Sequence, residues 1–264
     1  MVKLACPEVY VLDNEFVNRV DKIISLGFQA VEIDGQNVNG SERDMIVAIA
    51  RRKVSVSAIW AAHVTGSLDT DRAVRDESLK ELKRLIKFSA EIATAGVVFT
   101  DHQMKPSSPE DRHEAVGRLA EYLSEAAAYA KTVGSRVLLE PLAGKFNPLI
   151  RTIEDGAALC QIVHSPGLRL CADTYHMSVN GEDIVASLKA FGRYIGHIHL
   201  SDLKPPEPGD GRCLPGNGSV DFVSVFQSAK MTAFHGCFAV EGFAPHKDDS
   251  DALRKCAEYL NTLK

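Results

Sequence analysis

The chain has 264 residues, of which 45% are hydrophobic and 25% are charged, and its formal net charge is −5. This hydrophobic fraction is enough for a large core and excludes a disordered or collagen-like chain. The acidic balance argues against a nucleic-acid-binding surface, which usually carries an excess of Lys and Arg. No run of about 18 apolar residues occurs, so we expect no membrane span. The amino terminus does not resemble a signal peptide, which favours a cytoplasmic location.

Short apolar runs alternate with longer helical patterns along the whole chain. Each run is rich in Val, Ile, Leu or Ala, which is typical of strands that are buried on both faces. Two long helices are predicted over 72–92 and 109–132, with Ser108 as a predicted helix cap, and a further helix is predicted to open at Thr152. The predicted strands cover 3–11, 30–34, 54–63, 96–101, 136–142, 168–173, 195–202 and 237–243.

Eight strand–helix units in a chain of this length fit either a closed (β/α)₈ barrel, which is the TIM-barrel fold, or a doubly wound open sheet. A dinucleotide-binding open sheet should carry G-x-G-x-x-G after its first strand, and this sequence has no such motif there. No linker or low-complexity segment divides the chain. We therefore predict an α/β fold in which residues 1–264 form a single TIM-barrel domain.

Titratable side chains lie at the ends of the predicted strands, where TIM barrels place their active sites. Charged groups at a barrel mouth lose hydration, which is costly unless a partner or a bound cation compensates them. In strand order the residues are Glu32 and Asp34, His63, Asp101 and His102, Glu140, Asp173 and His176, His197 and His199 with Asp202, and Glu241.

Four of these residues form a predicted metal site: Glu140, Asp173, His199 and Glu241. Three carboxylates and one imidazole suit a single divalent ion, for which we expect Mn²⁺, with Mg²⁺, Zn²⁺ or Co²⁺ as alternatives. His197 and His199 are expected to point to opposite faces of their strand. On that expectation only His199 faces the barrel axis, and His197 packs nearby or supports a ligand.

Two further candidates stand at the end of the third predicted strand. Trp60, the only tryptophan, is either part of the pocket wall that contacts a substrate or an ordinary core residue. His63 is either a pocket residue or a loop histidine. The residues alone leave both alternatives open.

Several segments resemble the xylose isomerase-like superfamily of TIM barrels. They are ADTYHMSVNGEDI (172–184), GHIHLSDLK (196–204) and DGRCLPGNGSVDF (210–222). Within that superfamily they are similar to the sugar phosphate isomerase/epimerase branch, close to the ketose 3-epimerases and related to inosose isomerases and dehydratases and to endonuclease IV. Residues 67–99 and LLEPL (138–142) are similar to the same branch.

The resemblance implies a metal-dependent isomerase or epimerase with a sugar-like substrate. Glu140 and Glu241 would exchange a proton at the carbon next to the substrate carbonyl through an enediolate, which a divalent cation stabilises. A homodimer is the default assembly. The implied metal ligands are Glu140, Asp173, His199 and Glu241, and the implied substrate contacts are His176, Arg212 and His63.

Two departures from the family pattern bear on the substrate. The epimerases usually have a glutamate six residues beyond the first metal ligand, and here that position is Phe146. A dehydratase of an inosose-like or dehydroshikimate-like ketone is therefore an alternative. Endonuclease IV needs D-x-H for its third metal ion, whereas this chain has Asp210, Gly211 and Arg212, and a guanidinium cannot bind a metal. We therefore expect no nucleic-acid partner.

Overall fold

The computed structural model describes residues 3–101, 108–144, 149–204, 211–232, 234–241 and 248–263. Eight parallel strands close into a barrel, so the predicted TIM-barrel fold is confirmed. Its strands are β1 (Leu4–Pro7), β2 (Ala30–Asp34), β3 (Ser55–Trp60), β4 (Val97–Phe99), β5 (Val137–Leu139), β6 (Leu168–Asp173), β7 (Ile195–Leu200) and β10 (Phe238–Val240). Around the ring their order is β1-β10-β7-β6-β5-β4-β3-β2. Two short strands, β8 (Asp202–Leu203) and β9 (Arg212–Cys213), pair antiparallel outside the barrel.

Helices surround the barrel. They are α1 (Phe16–Ser25), α2 (Glu42–Arg52), α3 (Arg72–Glu91), α4 (Pro109–Val133), α5 (Ile153–Val163), α6 (Thr174–Val179), α7 (Ile184–Phe191), α8 (Phe222–Met231) and α9 (Ser250–Asn261). Both predicted helix starts are confirmed. Ser108 Oγ accepts a hydrogen bond from the Asp111 N–H at 3.1 Å, and Thr152 forms a capping box with Asp155.

Among the described residues, none of the helices combines the length and apolar character that a membrane span requires.

The barrel strands bury two different faces. Their outward side chains, such as Phe99, Leu139 and Phe238, join one large apolar core with the helices. Residues that alternate with these along the strands form smaller clusters, which comprise Ala5, Ala30 and Ala239 in one and Ala58, Val98, Leu138 and Cys171 in the other. Because side chains alternate along a strand, the next residues on the same face reach the carboxyl-terminal end of the barrel.

Several strands are shorter than the apolar runs that predicted them. β1 ends at Pro7, and a 3₁₀ helix (Glu8–Tyr10) follows, although the run was predicted as strand to residue 11. Tyr10 and Val11 are still buried. The apolar run therefore predicts the buried segment correctly. The strand itself is shorter than that buried segment.

One buried carboxylate organises the loop that follows the β8–β9 pair. Asp202 Oδ1 accepts hydrogen bonds from the N–H groups of Leu203 and Val220 at 2.9 and 3.0 Å. Its Oδ2 accepts from Gly216 and Gly218 at 3.0 and 2.8 Å. The Pro-Gly-x-Gly segment is thus wrapped around Asp202, and a side chain at Gly218 would overlap the carboxylate.

This close approach predicts that Gly218→Ala destabilises the protein by about 1–3 kcal/mol, because an added Cβ would lie 2.5 Å from the Leu203 carbonyl oxygen. Urea denaturation would measure the change. Gly117→Ala is the matched control, since nothing lies within 4 Å of a Cβ added there in α4. It should gain up to about 1 kcal/mol from helix propensity. Equal stabilities of the two variants would refute the packing argument.

Candidate active site

The four predicted metal ligands converge at the carboxyl-terminal end of the barrel. Glu140 follows β5, Asp173 ends β6, His199 lies on β7 and Glu241 follows β10, and these four strands are consecutive around the ring. One donor atom from each residue lies within 4.8 Å of the others. Glu140, Asp173 and His199 are at most 1% exposed, whereas the Glu241 side chain is 15% exposed. Glu241 is therefore the member of the cluster nearest to solvent.

The His199 ring lies between carboxylates on both of its nitrogens. Nδ1 lies 2.8 Å from Oε1 of Glu140 and 2.7 Å from Oε2 of Glu241. Nε2 lies 3.1 and 3.3 Å from the two oxygens of Glu32. One edge of the ring therefore faces the candidate metal ligands, and the other edge is held by a fourth carboxylate.

Glu32 belongs to the site, although the sequence pattern alone gave it no role beyond a place on β2. Its side chain is only 4% exposed, and Oε2 also lies 2.8 Å from Nε2 of His197. The signal was present, because a carboxylate within AVEID stands in an apolar strand, as Glu140 does in VLLEPL.

The prediction that His197 and His199 face opposite sides of β7 is wrong. Residues two apart on a strand share a face, since side chains alternate with a period of two. Both rings lie inside the barrel, 5.1 Å apart between centroids, and both contact Glu32. His197 lies one strand repeat before His199 and supports it through this shared carboxylate.

Burial dominates the electrostatics of the cluster. It raises the pKa of Glu140 and that of Asp173, and the charge of Glu241 raises both further. Burial alone would also raise the pKa of Glu241, but the cations of Arg212 and His199 outweigh it and hold that pKa well below its usual range.

Glu32 and His197, which support His199, shift in the opposite direction to Glu140 and Asp173: both of their pKa values are lowered. Burial would raise the pKa of Glu32, but the charge of His199 and the hydrogen bonds from His197 and His199 lower it to about 2. Burial lowers the pKa of His197, which favours its neutral ring. Four carboxylates are therefore gathered around two cationic side chains, His199 and Arg212, and the excess of acid suits an added cation.

Arg212 reaches the cluster from β9. Its Nη2 pairs with Asp173 Oδ2 and lies 2.9 Å from Glu241 Oε2. Its Nε and Nη2 donate to Ser201 Oγ at 3.0 and 2.8 Å, and its guanidinium lies 4.7 Å from the centroid of the Tyr175 ring. The structure thus brings the predicted substrate-binding arginine into contact with two of the candidate metal ligands.

Local hydrogen bonds explain how residues 173–176 are arranged at the site. Asp173 caps α6, since its Oδ1 accepts from the N–H groups of Tyr175 and His176 at 2.6 and 3.1 Å. This leaves Oδ2 to face the cluster. His176 is buried, and its Nδ1 accepts from the Ala143 N–H at 3.1 Å, so the neutral ring carries its proton on Nε2.

His63 and Trp60 flank the end of β3. His63 Nε2 lies 3.2 Å from Glu81 of α3, and Glu81 in turn binds Arg84. Trp60 packs on the cluster that contains Val98 and Cys171. Within the described part of the chain, His63 Nδ1 and Trp60 Nε1 are buried and have no hydrogen-bond partner. The predicted positions His102 and Phe146 lie outside the described residues.

The donor set fits a divalent metal ion. Three carboxylates and one imidazole nitrogen converge, with one donor atom of each within 4.8 Å of the others. Hard, oxygen-rich sets of this kind bind Mg²⁺ or Mn²⁺ and accept Zn²⁺ or Co²⁺. The buried cluster of Glu and His is therefore consistent with a divalent metal site.

Comparison with known proteins identifies the family. A family model described as xylose isomerase-like TIM barrel matches residues 20–263. The chain is 24% identical to 3-dehydro-D-guloside 4-epimerase of Escherichia coli over 91% of this chain and 92% of that protein. It is 23% identical to D-psicose 3-epimerase of Agrobacterium fabrum over 73% and 70% of the two chains. The crystal structure of 3-keto-D-glucoside 4-epimerase from Escherichia coli has a TM-score of 0.88 at 22% identity and covers 99% of this chain and 100% of that one. The chain belongs to the xylose isomerase-like TIM barrel family.

Proposed function

We propose that the protein is a divalent-metal-dependent sugar isomerase or epimerase that transfers a proton at the carbon next to a substrate carbonyl. The observation that carries the proposal is the convergence of Glu140, Asp173, His199 and Glu241 within 4.8 Å at the end of the barrel where this fold places its active sites. The names of the relatives support the same reaction class, since they are sugar epimerases.

The four converging side chains would hold the metal ion, with Mn²⁺ as our first candidate. When bound, such an ion supplies a fixed positive charge that stabilises the enediolate oxygens of the substrate. Glu32 holds the Nε2 edge of His199, so Nδ1 faces Glu140 and Glu241, where it would bind the ion. A carboxylate behind a metal-binding histidine fixes its orientation and raises its basicity.

Glu140 and Glu241 are the proposed proton carriers. Both carboxylates lie within hydrogen-bond distance of His199 Nδ1, so they flank the same point in the site. One would remove the proton and the other would return it. Glu241 is the more exposed of the two, so it is the carboxylate that an entering substrate meets first.

The remaining predicted residues would bind substrate oxygens. Arg212 and His176 lie beside Asp173, and each can donate hydrogen bonds to hydroxyl or carbonyl groups. The unpartnered ring nitrogens of His63 and Trp60 support a place for both on the pocket wall.

A dehydratase remains the second candidate. It would begin with the same proton removal, and the hydroxyl group on the neighbouring carbon of an inosose-like or dehydroshikimate-like ketone would then take up a proton and leave as water, with a C=C bond formed between the two carbons. Phe146 favours it, because this position departs from the epimerase pattern. A nuclease is not proposed, since Arg212 contacts Asp173 and Glu241 in place of a further metal ligand.

Solvent-proton exchange tests the proposed chemistry. With Mn²⁺ in D₂O, the protein should incorporate deuterium next to the carbonyl of at least one sugar in a panel of ketoses, 3-keto-glucosides and inososes, as measured by NMR. Glu241→Gln should slow incorporation at least about 100-fold, because a proton carrier contributes roughly 10²–10⁴-fold.

Glu121→Gln is the matched control for that experiment, because Glu121 lies exposed on α4, and it should exchange at the wild-type rate. Exhaustive chelation should stop exchange, and added Mn²⁺ should restore it. Undiminished exchange in Glu241→Gln would contradict the assignment of Glu241.

The support that Glu32 gives to His199 predicts a change in metal affinity. Glu32→Gln should weaken Mn²⁺ and Zn²⁺ binding about 10–100-fold, because it removes the carboxylate that orients the ring. Titration calorimetry of the metal-free protein measures this directly. Glu8→Gln is the control, since Glu8 is another fully buried carboxylate with its own partners, Arg19 and Asn37. If both variants lose affinity equally, general destabilisation is the cause and the role of Glu32 is wrong.

A further inference from the structure

A basic hollow opens at the amino-terminal end of the barrel, opposite the candidate active site. Its volume is about 600 Å³. Five of its lining residues carry basic side chains, and none of the described lining residues is Asp or Glu. The basic residues are Lys3, Arg136, Arg169, Arg193 and His235.

The topology explains why these side chains meet. Lys3 immediately precedes β1, Arg136 precedes β5, Arg169 is the second residue of β6, and Arg193 lies in the 3₁₀ helix before β7. The strands β5, β6, β7, β10 and β1 are consecutive around the barrel, so their starts form one continuous arc. Arg169 lies four residues before Asp173 on β6, a separation of about 13 Å along the strand.

Among the residues that the structure describes, no carboxylate pairs with the four permanent cations in the hollow. Arg169 donates from Nη1 to the Leu168 carbonyl oxygen at 3.0 Å, and Lys3 donates to Ser55 Oγ. Arg193 donates to the Tyr194 hydroxyl at 3.0 Å and lies 4.7 Å from the centroid of that ring. Within the described ranges, none of the four, Arg136 included, forms an ion pair.

This charge pattern is unusual for this chain. The protein has a formal net charge of −5, and three other hollows that described residues line each combine both signs. The hollow lined by Arg72, Lys80 and Lys83, for example, also contains Asp76 and Glu125. Like charges that are gathered without counter-charges raise the local potential and attract ions of opposite sign.

The side-chain stem of Arg169 packs against Gly196 of β7. A Cβ added at Gly196 would lie 3.0 Å from the Cβ of Arg169 and 2.7 Å from Leu138, so glycine at this position allows the arginine stem to lie flat on β7. Together with the Arg193–Tyr194 contact, this orders two planar donors before any ligand arrives. Pre-ordered donors lose less entropy on binding.

We propose that this hollow binds a small phosphorylated anion with at least two negative charges. Guanidinium groups match phosphate oxygens in pairs, and several cations favour a diphosphate group over a single phosphate. The volume lies in the range of small-molecule sites. The site is separate from the catalytic cluster and does not depend on the reaction assigned to it.

Titration calorimetry of the metal-free protein at low ionic strength tests the proposal, with inorganic pyrophosphate and inorganic phosphate as the probes. Pyrophosphate should bind saturably at one site and at least tenfold more tightly than phosphate. Arg136→Gln/Arg193→Gln should raise the pyrophosphate Kd at least tenfold. Both residues are exposed, so the variant should fold, which circular dichroism and thermal melting would check.

Arg43→Gln/Arg254→Gln is the matched control, because it removes the same charge from exposed positions outside the hollow. Its Kd should stay within twofold of the wild-type value. Absence of saturable pyrophosphate binding would overturn the proposal. So would equal weakening by the two double variants, which would show attraction to net charge alone.

Discussion

The burial of four carboxylates near the carboxyl-terminal end of one barrel is the constraint on which the rest of the site depends. Glu32, Glu140 and Asp173 are almost fully buried, and Glu241 is nearly so. Ionised carboxylates in such a place are stable only with partners. His199 and Arg212 supply them, and the neutral side chains of Ser201 and Tyr175 contact the guanidinium of Arg212.

Much of this arrangement could be predicted from the sequence. Apolar runs separated by helical patterns identified the barrel, because strands that are buried on both faces have few alternatives to Val, Ile, Leu and Ala. Acidic residues towards the ends of those runs made Glu140, Asp173 and Glu241 candidate metal ligands. Parallel strands in a barrel all end at the same rim, so adjacency of these residues followed from the fold alone.

Other features depend on contacts that a linear pattern does not contain. Glu32 is 167 positions from His199 in sequence, and only the closed ring of strands brings the two together. The prediction for His197 was wrong for a simpler reason. Residues two apart on a strand share a face, so His197 and His199 both point into the barrel. The contact of Arg212 with Asp173 depends on the path of the β8–β9 pair, which no residue pattern specifies.

The barrel also has an electrical polarity. Arg136 and Arg169 stand at the starts of β5 and β6, and Glu140 and Asp173 stand at their other ends. Because both strands carry the basic residue at the start and the acidic residue at the end, their charges add to a dipole along the barrel axis. The field of such a dipole steers ions during diffusion. Such a field would favour a small cation at the end with Glu140 and Asp173 and a small anion at the end with Arg136 and Arg169. The opposite charges at the two ends of the barrel are separated by only four residues along β5 and β6.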